Sequence, residues 1–274
     1  MNLFDVDTAV RRIPNPDPRT IAFEAEMSRN WWIVRGPNGG YVAAVMLRAL
    51  AEAVGDPERA PRSLTLHYAA PPPEGSVRIE VRIERRGRSL STLSARMFAG
   101  EKLLVLALAA FSAPRPGGSL RNARMPEVAP PERCVSLRDV EGGIRLPLHE
   151  RYDYRWAFGG RPYTGAPEAA LGGWIRLEEP RVADALAVAA FTDAFPPAVM
   201  STLTPGSTLG AMPTVDLTIH FRSTLPLEGS SAGDHLLAVF RAREAREGFF
   251  EEDGEIWTPD GTLVAHSRQL AVLL

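Results

Sequence analysis

Apolar and polar positions along this chain follow two rhythms. Val77 to Arg86 and His235 to Arg243 alternate residue by residue, as half-buried strands do. Tyr152 to Phe158 and Trp174 to Leu177 are also strand-like, and Ile21 to Val34 reads as extended chain. Gly39 to Ala53 has a different period. It is rich in Ala, Leu and Met, and Val42, Val45, Met46 and Leu50 share one stripe, which predicts a helix. Val182 to Thr192 is Ala-rich and predicts a second helix, which Pro196-Pro197 should end. Pro114 to Glu132 collects Pro114, Pro116, Gly117, Gly118, Pro126, Pro130 and Pro131, and reads as a linker.

The pattern occurs twice. Leu64-Thr65-Leu66-His67-Tyr68 returns as Leu217-Thr218-Ile219-His220-Phe221, 153 residues further on. A Pro-rich stretch follows each copy, then Glu74-Gly75 and Glu228-Gly229, then an alternating strand. Ala99-Gly100-Glu101 and Pro259-Asp260-Gly261 are hairpin candidates, each leading into an apolar final strand. A gap-free offset would lay Ala44-Val45-Met46 over Ala198-Val199-Met200 and place two prolines inside a helix, so helix on helix with gaps is the better physical match. Each copy is thus an extended segment, a helix and three or more antiparallel strands. A helix against one face of a curved sheet satisfies the one-sided pattern of both elements, and joining two units covers edge strands. The expected fold class is α+β: a tandem (double) hot-dog, each copy a curved antiparallel sheet wrapped around a central helix. Residues 1–113 would form the first unit, 114–145 a Pro-rich linker and 146–274 the second unit.

Composition narrows the function. The 274 residues suffice for one large domain or two ordinary ones, and 45% are hydrophobic. A net charge of −2 provides no global field to attract nucleic acid or an anionic membrane. Lys102 is the sole lysine among many arginines. Cys134 is the sole cysteine, which excludes an intramolecular disulfide and Cys-rich metal sites. Met1 to Thr20 carries Asp5, Asp7, Arg11 and Arg12 without an apolar core, unlike a secretory signal. The longest apolar run, Leu103 to Phe111, is too short to cross a bilayer, so a soluble, cytoplasmic chain without membrane insertion is expected. No P-loop, dinucleotide fingerprint or Gly-x-Ser-x-Gly elbow occurs, and no cofactor or metal is expected.

Several short strings resemble the acyl-CoA thioesterase II family. In the second copy they are Thr192-Asp193-Ala194-Phe195, Thr214-Val215-Asp216 and Val264-Ala265-His266-Ser267-Arg268-Gln269. The first copy adds Arg35-Gly36-Pro37-Asn38-Gly39-Gly40 and Arg86-Gly87-Arg88-Ser89. Their order and spacing, rather than any single string, carry the resemblance. It implies hydrolysis of an acyl-CoA to free fatty acid and CoA, by a water held on an Asp, a Thr and a Gln of the second hot dog. By motif these fall on Asp193, Thr214 and Gln269. Two departures stand out: Pro196-Pro197 follows Phe195 where the family usually has Leu, and Asn38-Gly39-Gly40-Tyr41 replaces a Phe-Gly-Gly-Gln string.

The residue chemistry is compatible. A carboxylate at the end of a buried helix could share a proton with water, its pKa raised by desolvation, and Asp193 follows the apolar Ala185 to Phe191 run. The bland alternative is a solvated helix-end carboxylate. Gln269 shares strand parity with Ala265, Ser267 and Ala271, a small-residue face that would press on a helix. Thr214 shares parity with the polar Asp216, Thr218 and His220, and only its place at the strand's start after Pro213 would turn it inward. Gly39-Gly40 at a helix N-terminus offers free amides for an oxyanion, or merely a tight turn. His67 and His220 are repeat-related but lack ligands at metal spacing. Trp31, Trp32, Trp156 and Trp174 suit packing or tunnel lining.

Two other readings fit the fold. A hot-dog enoyl-CoA hydratase would need a His soon after its Asp, and none follows Asp193. A non-catalytic acyl-CoA-binding protein would keep the fold without turnover. The duplication is also unequal. Gly-Gly at a helix start belongs to the first copy alone, and Thr214 and Gln269 have Pro61 and Ala109 or Ala110 as counterparts. One catalytic centre per chain, at the seam between copies, is therefore expected. Homo-oligomerisation stays open.

Overall fold

The computed structural model describes residues 2–139, 145–207 and 210–273. Its strands are β1 (Val10–Ile13), β2 (Ile21–Met27), β3 (Ala60–Tyr68), β4 (Gly75–Arg86), β5 (Leu90–Ala99), β6 (Lys102–Ser112), β7 (Val135–Ser136), β8 (Tyr152–Gly159), β9 (Ala170–Leu177), β10 (Thr214–Phe221), β11 (Leu236–Arg241), β12 (Ala245–Arg246), β13 (Phe249–Trp257) and β14 (Leu263–Val272). They form one 14-stranded sheet in the order β1-β2-β4-β5-β6-β3-β10-β14-β13-β11-β9-β8-β7, with β12 paired to β13. Every pairing is antiparallel.

The centre of this order is the pair β3–β10, the two strands that carry the repeated string. Thr65 stands opposite Thr218, its own repeat counterpart, and their Oγ1 atoms are 3.1 Å apart. Outward from this pair, β6-β5-β4-β2 on one side is matched by β14-β13-β11-β9 on the other.

Among the described residues three α-helices accompany the sheet: α1 (Leu3–Asp7), α2 (Gly39–Val54) and α3 (Ala185–Phe191). α2 begins where Asn38 Oδ1 accepts the Tyr41 N–H, and ends at Gly55, whose φ of 59° suits a residue without Cβ. Twelve residues from Gly40 to Val54 are buried, so the helix is covered on far more than one stripe, and only the face of Arg48, Ala51 and Glu52 reaches solvent. α3 is capped by Asp184, whose Oδ1 accepts from Leu186 N and Ala187 N at 3.0 Å each. That cap moves the helix start from the expected Val182 to Ala185.

The prolines do not end α3. It stops at Phe191, and the Thr192 hydroxyl turns back onto the Ala189 carbonyl at 2.8 Å. Pro197 instead opens a separate 3₁₀ turn, Ala198–Thr202, so α3 and not this turn is the counterpart that packs on α2. The extended segment expected over 21–34 breaks at Met27, because Ser28 caps a 3₁₀ turn and Trp31 stacks on Tyr41 at 5.3 Å. The strand expected at Trp174 reaches back to Ala170 through Gly172 and Gly173. A Cβ on either glycine would meet a neighbouring strand's carbonyl oxygen at 2.2 or 1.9 Å.

The main core is one cluster. It joins α2, α3 and the inward faces of strands on both sides of β3–β10. Each fully buried apolar side chain there stabilises by roughly 1.5–3 kcal/mol. A smaller cluster of Trp174, Leu237, Val239 and Trp257 lies apart from it, and the linker residues Met125 and Val128 pack against it. Trp174 Nε1 donates to the Ala129 carbonyl at 2.8 Å. The second part of the linker is therefore a cover over β9, β11 and β13, whereas residues 114–124 are almost wholly exposed. Of the expected linker, residues 140–144 lie outside the described residues. Among the described residues no helix is long and apolar enough to cross a membrane.

Candidate active site

α2 and α3 pack on each other, and the N-terminus of α2 meets the C-terminal turn of α3 at Gly39-Gly40. A Cβ on Gly40 would lie 2.4 Å from the Ala190 carbonyl oxygen, and one on Gly39 would lie 2.8 Å from Asp193 Oδ2. Close approach of the two helices, and not a turn, is what requires glycine here. The residues after α3 are consequently delivered to the N-terminus of α2.

Asp193 occupies that N-terminus. Its Oδ2 accepts the Gly40 N–H at 3.1 Å and Asn38 Nδ2 at 3.0 Å, while Asn38 Nδ2 is also 2.6 Å from the Asp193 carbonyl oxygen. The amides expected to face an oxyanion are thus turned to the carboxylate, the first anion that the helix dipole meets. Burial pushes the Asp193 pKa up to about 6 against the lowering effect of the Gly40 and Gly39 amides, Gln269 and Asn38. All of these donors are neutral. A dipole cradle opposes desolvation only in part, and the group is left titrating near neutrality.

Gln269 and Thr214 arrive from the sheet. Gln269 is 5% exposed on the inward face of β14 with Ala265, Ser267 and Ala271, as its parity indicated. Thr214 Oγ1 donates to Gln269 Oε1 at 3.3 Å. Simple alternation would have put Thr214 with Asp216 and His220, but the β10–β14 register slips between Thr214 and Asp216. That bulge at Val215 brings Thr214 opposite Ala271 and onto the inward face. Asp193, Thr214, Gln269, Gly39 and Gly40 therefore share one locality.

Asn38, three tyrosines and Glu252 complete the locality. Asn38 carries a sequence signal, a capping residue before a helix. Tyr68 donates its hydroxyl to the Gly39 carbonyl at 2.8 Å, and Tyr154 donates to that of Ala194 at 2.9 Å. Burial and the nearby Asp193 hold the phenols of Tyr68 and Tyr152 far above the usual tyrosine range. Glu252 is 3% exposed and accepts Gln269 Nε2 at 2.8 Å. It sits in the run Glu251-Glu252-Asp253, which looks like a solvated face, yet it shares parity with the buried Phe250 and Ile256. That parity was the available signal.

His220 and the exposed His67 lie away from this locality, and His220 stands edge-on to His266 at 5.3 Å. Trp31 is buried and donates Nε1 to Asp7 Oδ2 at 2.8 Å, a packing role.

Residues 28–112 match the family model of the acyl-CoA thioesterase N-terminal domain, and residues 131–273 match that of the acyl-CoA thioesterase C-terminal domain. An uncharacterized protein of Mycobacterium tuberculosis (strain H37Rv) is 25% identical over 298 residues, spanning 99% of this chain and 98% of its own. A hot-dog-fold protein of unknown function from Alicyclobacillus acidocaldarius is similar with a TM-score of 0.86 and 30% identity, covering 100% of this chain and 98% of that one. A thioesterase II candidate from Thermobifida fusca YX gives a TM-score of 0.80 at 25% identity, over 100% and 98% of the two chains.

Proposed function

The chain belongs to the acyl-CoA thioesterase family, and from that premise we propose that it hydrolyses acyl-CoA thioesters with a water held by Asp193, Thr214 and Gln269. The observation that carries this assignment is the Asp193 carboxylate buried at the α2 N-terminus on the neutral donors Asn38 and Gly40, where burial pushes its pKa up to about 6. A base near neutrality is ionised at pH 7 and still basic enough to take a proton from water. Water attacks the thioester carbonyl, Asp193 takes its proton, and the C–S bond of the tetrahedral adduct breaks. The CoA thiolate leaves without a strong general acid, since a thiol's ordinary pKa is about 8.5. Gly39 and Gly40 serve here to hold Asp193 rather than an oxyanion.

The same proposal reads the molecule as a tandem double hot-dog. Residues 1–113 and 146–274 are the two units and 114–145 the connection; the mirrored strand order and two separate matched stretches support two units, and the second match already begins at 131, inside the connection. The site then lies at their seam, and acyl-CoA is the substrate partner.

A panel of acyl-CoA esters of different chain length, with detection of free thiol, tests it. Hydrolysis of at least one ester is expected. Asp193→Asn should lower kcat by about 10²–10⁴-fold, the range of a lost general base, while binding of the ester persists. A chain that hydrolyses no ester, or an Asp193→Asn variant at wild-type rate, would overturn the assignment.

A further inference from the structure

A second carboxyl group lies behind Gln269. Glu252 stands directly opposite Gln269 in the β13–β14 ladder, on the inward face with Phe250, Gly254 and Ile256. Its Oε1 accepts from Gln269 Nε2 at 2.8 Å, and its Oε2 accepts the Ala198 N–H. The charges that act on it, those of Asp193 and Glu251, are both negative. An apolar residue would fill this position at less cost than an unpaired buried carboxyl group. Its presence calls for a specific role.

The hydrogen bonds supply one. The two ends of a carboxamide are almost equal in shape, so only its partners decide which way it points. Thr214 cannot decide alone, because a hydroxyl both donates and accepts. Gln269 Nε2 is bonded to Glu252, and the same carboxamide acts on Asp193 as a donor that lowers its pKa. Its Oε1 is left to accept from Thr214. The other oxygen of Glu252 is pinned by Ala198, the first residue of the 3₁₀ turn that Pro197 opens, whose N–H has no partner within that turn. Pro196-Pro197 and Glu252 thus act as one device: the prolines aim the amide, and the amide fixes the carboxyl group.

We infer that Glu252 is a positioning residue for hydrolysis, holding the Gln269 carboxamide with Nε2 toward Asp193 and Oε1 toward Thr214. The inference rests on the thioesterase assignment of those three residues.

Glu252→Gln tests it with little change of volume. Both partners of Glu252 are donors, and Ala198 is backbone. The new amide keeps its oxygen on Ala198 and turns its NH₂ to Gln269, which then flips its own NH₂ toward Thr214. A misoriented group of this kind lowers kcat by about 10–100-fold, with KM changed less than about threefold. In a Gln269→Ala background the same substitution should change kcat by less than about twofold, because its effect passes through Gln269. A wild-type kcat in Glu252→Gln, or effects that multiply in the double variant, would overturn the inference. The side-chain amide signals of Gln269 in ¹H–¹⁵N spectra give an answer without turnover. Two distinct, slowly exchanging protons are expected in the wild type, shifted in Glu252→Gln, and unchanged signals would overturn the positioning role. Should the wild type hydrolyse no ester, the thioesterase assignment falls, and these signals alone decide how Gln269 is held.

Discussion

Asp193 accepts from a backbone amide at a helix start and from carboxamide groups, all neutral, while Tyr68, Tyr152 and Tyr154 crowd around it. With its pKa at about 6, kcat/KM should fall about tenfold per pH unit below that value, measured on any ester the enzyme accepts. A rate flat down to pH 5 would contradict the role of Asp193. Glu252 affects stability in the same range. In the unfolded chain it loses its proton near 4.5, and in the fold burial holds the proton up to about 8. Between these values the folded form binds more protons, so the stability tied to this proton is full below 4.5 and lost as pH rises through 8. Glu252→Gln removes that titration. Thermal melts should show its Tm falling less than the wild type's between about pH 5 and about pH 9. Asp193 was singled out by its motif, since a helix end alone suits a solvated carboxylate as well, and Gln269 had strand parity beside its motif. Thr214 was legible by motif only, because a one-residue bulge at Val215 reverses the face that alternation gives it. Glu252 was hidden in an acidic run, since buried and solvated carboxylates share one letter and only the sheet's depth separates them.

At the level of elements, α2 and α3 matter through their contact rather than their length. Gly40 admits the Ala190 carbonyl to a distance that a methyl group would forbid. Gly40→Ala must push α3 and Asp193 away from the α2 N-terminus, and overpacking of this kind costs about 1–3 kcal/mol. Urea unfolding should show that loss, and hydrolysis should fall with it. A variant as stable and active as the wild type would mean that the helices can part freely. Helix positions were readable from the Ala-rich periods, with α2 starting at Gly39 and ending one residue past Ala53, but the start of α3 was not. Asp184 and Ser28 act by side-chain capping, which competes with the hydrophobic pattern over one or two residues. The strand through Gly172-Gly173 was equally hard to foresee, because glycine gives no face to read and the reason for it lies on neighbouring strands.

At the scale of the molecule, the main core and the sheet run through β3–β10 without a break. Protease cleavage within the exposed residues 114–124 should therefore leave both pieces associated, eluting as the intact chain does and melting in one transition. Pieces that separate on a sizing column would show that β3–β10 does not hold them. The sequence repeat marked two equivalent strands, and the fold pairs them with each other at the centre of the sheet, about a local twofold. It did not reveal that Met125 and Val128 fold back over Trp174, since a Pro-rich stretch carries no period. The contact between Thr65 and Thr218 has a consequence for variation. Where two identical chains meet on a symmetry axis, every substitution is made twice and must tolerate its own image. Here each threonine has a separate codon, so one can change while the other compensates, and a change that suits one half need not be matched by the other. Linking the repeats in one chain turns self-complementarity, a constraint on pairs, into complementarity between independent partners.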